Sequence, residues 1–126
     1  MIPLTEKEHN KRIGQAIFHF RVNYKNPNKK SPPIMTQTKL AKRIFVTFQQ
    51  VQKYEKGANG VSSYRILQIS EALGVSVSDI FIKAYSDHKE ILGYMKPFET
   101  IAEIEIKEET PLILKPEWEK IDEKKN

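Results

Sequence analysis

Apolar residues recur at helical spacing through most of the first 85 positions. Ile13, Ala16, Ile17 and Phe20 follow i, i+3, i+4, i+7 steps and predict a first helix from Glu8 to Val22. Leu40, Ala41 and Ile44 mark the inner face of a second helix in "QTKLAKRI", preceded by Thr36 as its N-cap. A third helix is expected over Thr47–Lys56. The pair Thr47 and Gln50 opens it as a T-x-x-Q capping box, and Gly57 stops it. The fourth starts at Ser62 or Ser63, turns Ile66, Leu67, Ile69 and Leu73 inward, and ends at Gly74. Ser76 and Asp79 repeat the capping signature and open a fifth, "VSDIFIKAY".

Two stretches break this pattern. "NYKNPNKKSPPI", residues 23–34, holds three prolines, three asparagines and three lysines without periodicity, and is expected to be a long loop. Beyond residue 85, "KEILGYMKPF" groups its apolar residues around Gly93 and Pro97. Then "TIAEIEIKEE" alternates Ala102, Ile104 and Ile106 with Glu103, Glu105 and Lys107, which is strand-like, although the same residues also suit a helix. The final "PEWEKIDEKKN" is expected to fray. The fold class is therefore all-α. Five helices form a domain over residues 8–85, and residues 86–126 form a partly ordered extension with a short strand.

Charge sharpens this division. The 126 residues carry a net +5, but residues 1–65 hold 13 Lys and Arg against 3 Asp and Glu, whereas residues 66–126 hold 8 against 13. A basic half followed by an acidic half points to a polyanion-binding surface with a different element appended. The chain has no cysteine, which removes disulfides and thiolate metal sites. No apolar run approaches 18 residues, and "MIPLTEKEHNK" lacks a signal-peptide pattern, so a soluble cytoplasmic protein is expected.

The third helix carries the most informative chemistry. Val51 and Tyr54 face one way, while Phe48, Gln49, Gln52, Lys53 and Lys56 share the opposite face. Amides, ammonium groups and one ring on a short exposed helix suit the DNA major groove. Glutamine pairs with adenine N6 and N7, lysine reaches guanine O6 and N7, and a ring covers a thymine methyl. The first turn also offers free N–H groups to a phosphate. An ordinary solvated surface would account for these residues equally well.

The spacing of the second and third helices adds weight to the DNA reading. "MTQTKLAKRI", "TFQQVQKYEKGAN" and "LQISEALGVSVSDIF" together resemble the Cro-type (xenobiotic-response-element, XRE) helix-turn-helix family of phage and bacterial repressors, from about Ile13 to Phe81. The resemblance implies an all-α Cro/repressor-like domain that binds palindromic operators as a homodimer. It places Gln37 on a phosphate and against the recognition helix, and Phe48, Gln49, Gln52 and Lys53 on bases. Thr47, Lys56 and Asn59 would meet phosphates. Ala41 would let the second and third helices cross closely against Val51, and Glu55 would pair with Arg21. Two departures stand out. Phe45 occupies a turn position where relatives often have glycine, and the 23–34 loop, with Lys25, Lys29 and Lys30, is longer than usual.

Little else in the chain points to chemistry. His9, His19 and His88 are scattered without ligand spacing, and no Gly-rich phosphate loop or nucleophile motif occurs, so neither an enzyme nor a cofactor is expected. The sequence thus favours a transcriptional regulator, a repressor in kind, acting on double-stranded DNA. The alternative is an antitoxin-like module whose acidic extension binds a protein partner. Apolar groups after the fourth helix, namely Phe81, Ile91, Leu92, Tyr94, Met95 and Phe98, are expected to support dimerisation.

Overall fold

The computed structural model describes residues 4–25 and 34–95. Among them the elements are α1 (Glu6–Val22), α2 (Gln37–Arg43), α3 (Phe48–Lys56), α4 (Ser63–Leu73), α5 (Val77–Ala84) and α6 (Lys89–Gly93). No strand occurs among the described residues. The expected strand at 102–106, the frayed end, Lys29, Lys30 and Phe98 all lie outside them.

Side-chain caps set the helix starts. Thr5, Thr36, Thr47, Ser62 and Ser76 each accept a hydrogen bond from the backbone N–H three residues on. This satisfies one of the donors that a helix N-terminus leaves free. Thr5 starts α1 earlier than the Glu8 start that the apolar spacing predicts. Ser76 and Asp79 complete a reciprocal capping box at α5. Thr47 and Gln50 do not: Thr47 accepts from the Gln50 N–H at 3.1 Å, but no bond returns from the Gln50 side chain. Gly57 and Gly74 end α3 and α4 at φ 73° and 70°, left-handed values that glycine adopts without steric cost.

The core joins Ile13, Ala16 and Ile17 of α1 to Leu40, Ala41 and Ile44, to Val51 and Tyr54, and to Ile66, Ile69, Leu73 and Ile80. Leu67 is the exception to the predicted inner face of α4. It is 61% exposed, because the buried stripe runs through Ile66, Ile69, Ser70 and Leu73, and Leu67 sits roughly a third of a turn off it. A sixth helix follows the five expected ones. α6 is capped by His88 and buries Ile91, while Phe81, Leu92 and Met95 pack partly against the same core.

The contact between α1 and α3 decides where α3 sits. A Cβ on Gly14 would lie 2.2 Å from the Tyr54 carbonyl oxygen and 2.7 Å from that of Glu55. A Cβ on Gly57 would lie 2.6 Å from Lys11 Cα. Both approaches exclude any side chain. Gly14 and Gly57 thus let α3 lie directly on the α1 backbone.

Candidate nucleic-acid interface

The α2–turn–α3 unit is built around one buried carboxylate. Glu55, on the inner side of α3, accepts from Arg21 Nε at 2.6 Å and from the second Arg21 nitrogen at 3.0 Å. Gln37 Nε2, from the first turn of α2, donates to Glu55 Oε1 at 2.8 Å. Arg21 also donates to the Met35 carbonyl at 3.1 Å. The two charged side chains are 11% and 5% exposed, so α1, the entry to α2 and α3 share one desolvated, bidentate ion pair. Such a pair fixes geometry more than it adds stability.

The turn is tied down by two arginines. Arg65 of α4 donates to the Ile44 carbonyl at 2.6 Å, and Arg43 of α2 donates to the Ala72 carbonyl at 3.0 Å. Between α2 and α3, Phe45 adopts φ 59° with its ring 85% exposed. A left-handed conformation costs a non-glycine residue about 1–2 kcal/mol, and this ring recovers almost none of that through burial.

With α3 held in this way, its outward face carries the residues expected to read DNA. Thr47, Phe48, Gln49, Lys53 and Lys56 are exposed, Gln52 is half-buried, and Asn59 is exposed in the segment after α3. Gln37 is half-buried and bonded to Glu55. Ala41 and Val51 are both buried, as their expected close packing requires. Lys25 is exposed at the edge of the long loop.

Sequence reasoning missed several neighbours. Gln50, Tyr54, Gly60 and Arg65 line an open polar recess together with Thr47 and Asn59, flanking the start of α3. In the sequence Gln50 reads as a capping-box residue. Arg65 had no visible role, because bonds from a side chain to a distant carbonyl leave no periodic trace. Among the described residues, no group of three or more His, Cys, Asp or Glu could hold a metal. No described helix is long and apolar enough to cross a membrane.

Residues 34–80 match the helix-turn-helix family. Over this segment the chain is similar to helix-turn-helix regulators of the Cro (XRE) type. The chain is 60% identical over 47 residues to an uncharacterized HTH-type transcriptional regulator of Sinorhizobium fredii, covering 37% of this chain and 33% of that protein. It is 49% identical over 53 residues to another such regulator from Sinorhizobium medicae, covering 42% and 38% respectively. The matches thus span between about a third and two fifths of these relatives. Among solved structures, the helix-turn-helix chain resembles the clp gene regulator ClgR from Corynebacterium glutamicum, with 28% identity and TM-score 0.53, covering 64% of this chain and 92% of that one. A second ClgR structure gives 25% identity and TM-score 0.54, covering 77% and 89%.

Proposed function

We propose that this chain is a sequence-specific double-stranded DNA-binding transcriptional regulator, cytoplasmic, which reads the major groove with α3 and acts as a repressor by occupying its operator. One observation carries the proposal. A helix exposing Phe48, Gln49 and Lys53 is mounted on α1 and α2 through a buried ion pair, so its outward groups are presented from a fixed base. Preorganised amide and ammonium groups at this spacing suit direct readout of base edges. Lys56, together with Thr47, Asn59 and the recess those two border, would take backbone phosphates, which position the protein and supply salt-dependent affinity. Gln37, already engaged by Glu55, contributes mainly by holding α3. Action by occupancy needs no catalytic step.

A homodimer on a palindromic operator is the natural assembly for such a unit. Its half-sites would lie about 34 Å apart, one helical turn. Selection of bound sequences from a random duplex pool tests the proposal. The expected outcome is one enriched motif with two-fold symmetry and that spacing. A pool that stays random after several rounds refutes sequence-specific binding, and a single unrepeated half-site refutes the dimer.

A further inference from the structure

The N-terminus of α6 carries an unusual cap. His88 Nδ1 accepts a hydrogen bond from the Ile91 N–H at 3.3 Å. An imidazole fills this role only while neutral, because both ring nitrogens donate in the protonated form. Protonation also sets a positive charge at the positive end of the helix, which opposes its dipole. With only five residues in α6, the helix is held by this cap, buried Ile91 and the partial packing of Leu92, with Met95 just beyond it.

The cap lies within a cluster of rings. His88 meets Tyr85 edge-on at 6.4 Å between centroids, and Tyr85 stacks on His9 at 5.8 Å. The His9 Nδ1 and the Tyr85 hydroxyl are hydrogen-bonded. Arg12 lies 5.2 Å over the Tyr85 ring, donates to the Ala84 carbonyl at 3.1 Å and pairs with Asp87 at 2.7 Å. The charged and titratable groups around this knot are Glu6, Glu8, His9 and Arg12 on α1, Tyr85 and Asp87 after α5, and Lys89 and Glu90 on α6. Behind it, Leu4, Phe81, Tyr85, Ile91, Tyr94 and Met95 line an apolar groove of about 490 Å³, so α6 and the residues just after it form one wall.

We propose that α6 is a releasable wall of this groove: neutral His88 caps the helix in its docked position, and protonated His88 lets it go. Mild acid then opens the apolar surface of Phe81 and Tyr85, while α1–α5 stay folded around their own core. Burial holds the His9 imidazole below its ordinary range, against the pull of Glu6, so the ring under Tyr85 resists protonation. His88, whose Nδ1 is itself the acceptor that caps α6, is therefore the group on which the docking turns.

Amide exchange of the full chain tests this at neutral pH and at mildly acidic pH, near the range where histidine titrates. The amides of Ile91, Leu92, Tyr94 and Met95, corrected for intrinsic rates, are read against those of α1–α5 as an internal reference. Protection at these four positions should fall about five-fold more than that of the reference on acidification, the loss of one N-cap. His88→Asn supplies a cap that does not titrate, and should bring the change in α6 down to that of the reference. The proposal is overturned if the parent's α6 protection falls no further than the reference does. It is equally overturned if His88→Asn retains half or more of the parent's response.

Discussion

Arg21 engages both carboxylate oxygens of Glu55, at 2.6 and 3.0 Å, in a place where neither side chain is more than 11% exposed. Arg21→Ala would leave a buried carboxylate with only Gln37 to satisfy it, a loss of about 3–5 kcal/mol. The joint change Arg21→Met with Glu55→Leu should cost much less, since it removes both charges. Urea unfolding of the three proteins checks this. A single variant within about 1 kcal/mol of the parent would show that water already reaches the pair.

Phe45→Gly should stabilise the domain by about 1 kcal/mol. It relieves the left-handed backbone at φ 59°, while the exposed ring sacrifices almost no packing. The larger entropy of glycine in the unfolded chain trims the gain. A lowered urea midpoint would mean that the ring has a partner in solution.

Gly14→Ala tests the mounting of α3. The new methyl would be driven into the Tyr54 and Glu55 carbonyls, so the helices must part. A loss of about 1–3 kcal/mol or more is expected, together with weakened operator binding. Thermal melts and a binding titration on the folded fraction report the two effects separately.

On the outward face, Gln49→Ala and Lys53→Ala should leave stability within about 0.5 kcal/mol of the parent. Each should weaken the selected operator by about 1–3 kcal/mol and relax preference at one base position. Parent-like binding by both variants would move base reading off α3.

Acid should destabilise the whole domain before the carboxylates titrate. Burial holds His9 below its ordinary 6.5, so as pH falls the unfolded chain takes up the proton first. Stability from neutral His9 is full above 6.5 and is lost as pH falls through the lower folded value. Arg12 holds the Asp87 carboxyl below its ordinary 3.8 by hydrogen bonding, so its contribution disappears only in stronger acid. Urea midpoints in neutral and mildly acidic buffer should differ for the parent and differ less for His9→Gln. Equal differences would remove His9 from the account.

Much of this arrangement was legible in the sequence where the physics is local. Thr36, Thr47 and Ser76 announced helix starts, Gly57 and Gly74 announced stops, and 3.6-residue spacing found the inner faces of α1, α2 and α3. The Arg21–Glu55 pair came only through family resemblance. Leu67 misled because its apolar identity outweighed its angular position on α4. α6 was missed because Gly93 and Pro97 interrupt a short apolar run, and its cap is a histidine. Gly14 gave no signal either: a lone glycine inside a helix looks like a weakness until a second backbone is found lying against it.

The paired arginine bonds between α2 and α4 have a mechanical meaning. Arg65 reaches from the start of α4 to the Ile44 carbonyl, and Arg43 reaches from the end of α2 to the Ala72 carbonyl near the other end of α4. They act as opposed struts. Sliding one helix along the other in either direction stretches one strut while it slackens the other. The bend at Phe45 cannot relax by shear, so its strain stays locked in the turn. A surface braced in this way yields little to an imperfect target, and the burden of fitting shifts to the flexible partner. Duplexes that bend or twist at low cost would then be preferred even at base pairs no side chain touches.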